Sequence, residues 1–136
     1  MSKLKILVPL DNTEKSMHSL NWLKKFFSGE EVDVTLLNVV EVFYKEEMFS
    51  LGELETVKEI SKQVLDAAEK ELGGYKVTKL GIPGYGPDVI LKEASEGKYD
   101  MIVMTKSSVK GISRIIGSVT NKVVRNSEVA VVVVPE

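Results

Sequence analysis

Short runs of branched apolar residues alternate along this chain with segments whose apolar residues recur at helical spacing, and that alternation limits the folds open to it. The runs are Leu4–Leu10 ("LKILVPL"), Val32–Val40 ("VDVTLLNVV"), Tyr75–Leu80 ("YKVTKL"), Asp100–Thr105 ("DMIVMT") and Val129–Val134 ("VAVVVV"). Their length and composition, with Gly, Pro or Asp at their borders, predict strands. The second begins with alternation and becomes continuously apolar, as a strand covered on both faces does. The third alternates throughout, as a strand nearer an edge does.

Helices fill the intervals. After Asn12 or Thr13, either of which can cap, Leu20, Leu23 and Phe27 form a stripe with Lys24 and Lys25 facing out and Gly29 as the stop. Val57, Ile60, Val64, Leu65, Ala68 and Leu72 give the longest periodic segment, ended by Gly73 and Gly74. Gly81, Pro83, Gly84, Gly86 and Pro87 read as a turn, with Pro87 in the first turn of a helix that buries Ile90, Leu91 and Ala94 and stops at Gly97. Gly117 to Asn126 predicts a last helix burying Val119 and Val123, whereas Glu41 to Gly52 has no clear period and reads as a loop or an irregular helix entry.

Strands alternating with helices predict a single α/β domain over residues 1–136, with a mostly parallel five-stranded sheet between two helical layers and right-handed crossovers. In such sheets ligands gather beyond the carboxyl ends of the strands, where strand order reverses. With the first strand central, the loops "PLDN" and "TKSSVKG" meet there.

The absence of cysteine removes disulfides and thiolate chemistry, and a net charge of -2 gives no general attraction to nucleic acid. The apolar start "MSKLKILVPLD" is too short for a signal-peptide core, and no stretch has the length of a membrane span, so a cytoplasmic location is expected. Asp11, just past the first strand, suits a turn or cap and equally an acceptor for a ribose hydroxyl or base amine. A phospho-acceptor role is rejected, because Gly81, Ile82 and Pro83 stand where a receiver domain has its second acidic site.

Thr105, Ser107 and Ser108 supply hydroxyls, and Lys106, Lys110 and Arg114 supply positive charge, in the loop that leads to Gly117 and Ser118. That pair at a helix start suits an anion, but taken alone it is explained by a plain turn with Ser as the cap. His18 lacks a Ser or Cys partner and reads as a surface residue; Trp22 reads as core, and Glu41, Glu46 and Glu47 as solvated acids. There is no Walker A sequence and no G-x-G-x-x-G. With no general base beside the loop, slow ATP hydrolysis is the most enzymatic activity expected. The apolar Val129–Val134 strand at a sheet edge predicts pairing with a second copy.

Taken together, "ILVPLDNTEKSMHSL", "VTLLNVVE", "VILKEASEGKYDMIVMT" and "IIGSVTNKVVRNSEVAVVVVPE" resemble the universal stress protein domain over nearly the whole chain. The resemblance implies the Rossmann-like, adenine nucleotide alpha hydrolase-like fold with strand order 3-2-1-4-5. It also implies a homodimer joined through the last strand and a role in stress response or signalling. ATP-binding members have Gly, two residues, Gly, nine residues, then Gly with Ser or Thr. Here Gly117 and Ser118 match the end, but Thr105 and Ser108 stand where the two glycines would be, and only eight residues separate Ser108 from Gly117. The resemblance assigns Pro9, Asp11 and Val39 to the base and ribose side, and Met104, Thr105, Ser108, Gly117, Ser118 and Val119 to the remainder of a site. The ligand implied is ATP or another adenine nucleotide (AMP, ADP or a cyclic dinucleotide), with Mg²⁺ carried on its phosphates. The alternative is a dimeric regulatory or interaction module of the same fold that binds no nucleotide.

Overall fold

The computed structural model describes residues 3–41, 51–106 and 116–135, with backbone only for 51–54. Strands β1 (Leu4–Leu10), β2 (Val32–Val40), β3 (Lys76–Pro83), β4 (Met101–Thr105) and β5 (Ala130–Val134) form one parallel sheet in the order β3-β2-β1-β4-β5. Between them run α1 (His18–Phe26), α2 (Leu51–Glu71), α3 (Gly86–Glu96) and α4 (Ser118–Asn126). The chain builds outward from β1 to β3, then returns to β4 and continues to β5. Because each crossover is right-handed, reversing direction moves the later helices to the other face.

The core divides accordingly. Ile6, Val8, Leu20, Leu23, Leu36 and Leu65 pack on the α1/α2 face, and Leu7, Leu37, Ile90, Ala94, Ile102 and Val123 on the α3/α4 face. Ile6 and Val8 point one way and Leu7 the other, which is the period-two alternation of a strand covered on both sides.

Several expected boundaries move. The first helix is entered through a 3₁₀ turn, Glu14–Met17, capped by Thr13, and it ends at Phe26, leaving Phe27 extended at the C-cap. Phe27 still packs against the core, whereas Phe26 is 56% exposed. Ile60, read as part of the buried stripe of α2, is 38% exposed. α2 begins at Leu51, before the apolar stripe that starts at Val57, since polar helix formers such as Glu extend a helix without contributing to its buried face. Residues 42–50 of the expected irregular entry lie outside the described residues.

The segment from Gly81 to Pro83 is strand rather than turn, paired through Asn38↔Gly81 and Val40↔Pro83. Proline is tolerated because β3 is an edge strand. Gly81 is there for space: a Cβ on it would come 2.6 Å from Cβ of Ser61, so the glycine lets α2 lie close against β3.

Strand β1 is held differently at its two ends. At the amino end Asp100 N donates to Lys5 O (2.8 Å), and Lys5 N donates to Asp100 Oδ2 (2.7 Å). Lys5 Nζ also donates to Gly97 O (2.6 Å) and lies 4.5 Å from the centre of the Tyr99 ring. Burial pushes the Tyr99 phenol up to about 12, so it stays protonated and donates to Glu93 Oε2 (2.8 Å). The backbone of Lys5 thus faces β4, while Leu4 N donates to Glu31 O on the β2 side.

Backbone direction alternates along a strand, so residue 9 also faces β4, and residue 9 is proline, which has no N–H to give. The β1–β4 register runs through Ile6↔Met101 and Leu7↔Ile102 and stops there, whereas the β1–β2 register continues to Leu10↔Asn38. Buried Asn38 holds that end: its Nδ2 donates to Leu10 O (2.9 Å), and its Oδ1 accepts from Ser61 Oγ (2.8 Å). The carboxyl end of β1 is therefore fastened to β2 and released from β4.

Replacing Asn38 with alanine leaves Leu10 O and Ser61 Oγ without this buried partner, and is expected to destabilise the fold by about 2 kcal/mol. Urea unfolding checks this; an unchanged midpoint would show that the bonds hold nothing.

Candidate functional site

Where β1 and β4 separate, a cavity of about 320 Å³ opens on the α3/α4 side of the carboxyl edge of the sheet. That is within the lower range of ligand pockets. Its apolar lining comes from Pro9 on β1, Leu37 and Val39 on β2, Met104 on β4, Ile90 on α3 and Val119 on α4. Polar groups are few and placed round it: Asp11, Ser16, Glu41, Thr105, Ser118 and Thr120.

The start of α4 is pinned beside the end of β4. Lys106 N donates to Val134 O (2.9 Å), Gly117 N to Lys106 O (3.0 Å), and the buried Thr120 Oγ1 to Thr105 O (3.0 Å). Gly117 rather than Ser118 is the N-cap, with φ -60° and ψ 157°, and among the described residues no side chain caps the helix. The expectation of Ser118 as a cap is thereby corrected: it is the first helical residue, and its hydroxyl does not close the turn. First-turn amides have no partner within a helix, and they stand at the positive end of its dipole. Here they border the cavity.

Asp11 has a structural task as well. Its Oδ1 accepts from Thr13 N (2.8 Å) and from the Thr13 hydroxyl, while Ser16 Oγ donates to Asp11 O (3.2 Å). This is the turn role that the sequence allowed, and it fixes the carboxylate at the mouth of the cavity. Both carboxylate bonds fall on Oδ1, so the second oxygen is not needed for the turn.

Of the residues expected at a site, Pro9, Asp11, Val39, Met104, Thr105, Gly117, Ser118 and Val119 line this one cavity. Ser108 lies outside the described residues, as do Ser107, Lys110, Arg114, Glu46 and Glu47. His18 is exposed on α1, and Trp22 packs partly against the core with its ring 4.8 Å from that of Phe26.

Sequence reading missed the other lining residues, Leu10, Ser16, Leu37, Glu41, Gly86, Ile90 and Thr120. Ile90 was assigned wholly to the core, although its place in the first turns of α3 puts it at the carboxyl edge as well. Gly86 was taken only as a turn residue. Glu41, read as solvated, is exposed yet lines the cavity, and its Oε1 accepts a long bond (3.4 Å) from Gly86 N. The available signal was strand alternation, since residues 37, 39 and 41 share a face when β2 is continued by one residue.

Comparison with known proteins agrees with this fold. The profile of the universal stress protein family matches residues 4–135. Among solved structures, the hypothetical protein MJ0577 is 27% identical with a TM-score of 0.75, the match covering 98% of this chain and 96% of that one. A universal stress protein family protein from Arabidopsis thaliana with AMP bound is 17% identical (TM-score 0.70, covering 96% and 90%). The universal stress protein from Archaeoglobus fulgidus in complex with dAMP is 18% identical (TM-score 0.64, covering 98% of each). No curated protein matches the chain. The family match extends over both strands that frame the crevice and over the helix that closes it, and the chain belongs to the universal stress protein family.

Proposed function

We propose that this chain binds an adenine nucleotide, ATP or a related one such as AMP or ADP, in the crevice between β1 and β4, and acts as a cytoplasmic stress-response or signalling protein. One observation carries the reading: an apolar slot formed by Val39, Ile90 and Met104 opens onto the start of α4, which no described side chain caps, with Asp11 at the same mouth. Apolar walls suit a base, a fixed carboxylate suits ribose hydroxyls, and bare helix amides suit a phosphate. The AMP and dAMP carried by the Arabidopsis and Archaeoglobus proteins support the ligand class. None of the described helices is long and apolar enough to cross a membrane.

The described residues fit a nucleoside and its first phosphate. Further phosphates depend on the loop from Thr105 to Gly117, where Thr105 and Ser108 replace the glycines of ATP-binding members, and side chains there impede the close backbone approach that glycine permits. A weakened triphosphate grip follows. Among the described residues no cluster of three His, Cys, Asp or Glu could hold a metal, so Mg²⁺ would arrive on the phosphates.

A second reading, an interaction module without nucleotide, is favoured by the engagement of Asp11 with Thr13, which accounts for that aspartate without a ligand. In both readings the chain is a homodimer. β5 is the last strand of the sheet, with Val131, Val132 and Val133 only half-buried, and pairing with a second copy would satisfy its open backbone edge.

Calorimetric titration with AMP, ADP and ATP should show saturable binding. Ser118→Glu should weaken it about tenfold or more, because a carboxylate at the helix start opposes phosphate while favouring the helix itself. No uptake at millimolar nucleotide would leave the interaction module. For the dimer, lysine at both Val131 and Val133 should give a monomer or an insoluble chain in sedimentation; an unchanged dimer would place the joint elsewhere.

A further inference from the structure

Two helix starts border the cavity, and they are served differently. That of α4 has no side-chain cap among the described residues, whereas the first amide of α3, at Gly86, donates to the Glu41 carboxylate. A Cβ on Gly86 would come within 3.2 Å of Glu41 Oε1 and 3.8 Å of a Val119 γ-carbon, so the missing side chain is what leaves the carboxylate open to the cavity. Tyr85, the N-cap of α3, is tied to α4 by a hydrogen bond from Lys122 Nζ, which also lies 4.8 Å from the ring centre. The start of α3 is thus held from both sides, and Glu41 is held with it.

This arrangement gives a ligand a direction. A phosphate is favoured at the positive end of α4, beside β4, and is repelled by Glu41, beside β2. Strands β2, β1 and β4 lie side by side, so Glu41 beyond β2 and the start of α4 beside β4 border the cavity from different sides. With phosphate at α4, the far end of the ligand is its base, lying over Val39 and Ile90 with one polar edge toward Glu41.

We propose that Glu41 reads that edge, accepting a hydrogen bond from an exocyclic amino group and so selecting 6-amino purine nucleotides over their 6-oxo counterparts. The proposal rests on the nucleotide reading above. An ionised carboxylate only accepts, and with four lone-pair positions it can hold Gly86 N and a ligand amine together. A 6-oxo group in the same place sets acceptor against acceptor, the mismatch that polar sites reject most strongly.

The test compares adenosine monophosphate with inosine monophosphate on the intact chain and on Glu41→Gln. The intact chain should favour the 6-amino nucleotide by about tenfold or more, and the Gln variant, whose amide both accepts and donates, should bring the ratio to within about twofold. An amide oxygen can still accept from Gly86 N, so the variant should keep its melting temperature, which is measured alongside. Equal binding of the two nucleotides by the intact chain, or an unchanged ratio in a folded Gln variant, would overturn the proposal while leaving nucleotide binding in place. If neither nucleotide binds the intact chain, the functional reading fails first and the proposal with it.

Discussion

A single absent backbone donor organises the functional edge of this protein. Pro9 lies on the side of β1 that faces β4, and beyond Leu7↔Ile102 the two strands no longer pair. At the other end of the same strand, the reciprocal bonds of Lys5 with Asp100 close the seam, and Lys5 reaches Gly97 as well. The sheet is therefore zipped at its amino edge and parted at its carboxyl edge. Asn38 and Ser61 keep the freed end of β1 fastened to β2, so the parting has a defined shape.

What the parting exposes is chemically uneven. Its floor is apolar, from Pro9, Leu37, Val39 and Met104, and its polar groups sit round the rim. One helix start is occupied by the Glu41 carboxylate and the other has no cap among the described side chains, so negative charge is welcome at the α4 end and unwelcome at the α3 end. An elongated ligand with one anionic end would therefore have only one favourable orientation. The bonds that pin α4, from Thr120 to Thr105 O and from Gly117 to Lys106 O, fix where that anionic end would lie.

Much of the fold was legible in the sequence because helix and strand periods are separable over segments this long, and because right-handed crossovers leave few topologies. The errors came where punctuation residues served another purpose. Gly81 and Pro83 look like a turn, yet one makes room for Ser61 and the other ends an edge strand. Phe27 fits the helical stripe by spacing, but the helix stops one residue before it. At the site, Asp11 was picked out by its place just past β1, Pro9 and Val39 were found through a family likeness, and the reason Pro9 matters lies in backbone parity, which no residue pattern displays. Glu41 was missed because it follows β2 at a point where composition turns acidic and irregular, so its side chain looked solvated. Only the capping reading of Ser118 failed, because a serine beside a helix start invites a role that Gly117 here fills with its backbone alone, while Ser118 itself lines the cavity.

The central claim, that one crevice receives base and phosphate at opposite ends, is tested most directly by amide NMR of ¹⁵N-labelled protein titrated with AMP. Saturable shifts are expected at Ser118 and Val119 together with Asp11, Val39 and Glu41, all following one binding curve, while the amino-edge amides of Lys5 and Asp100 stay in place. Shifts confined to other surfaces, or separate curves for the α4 and β2 ends, would contradict a single site spanning the parted strands.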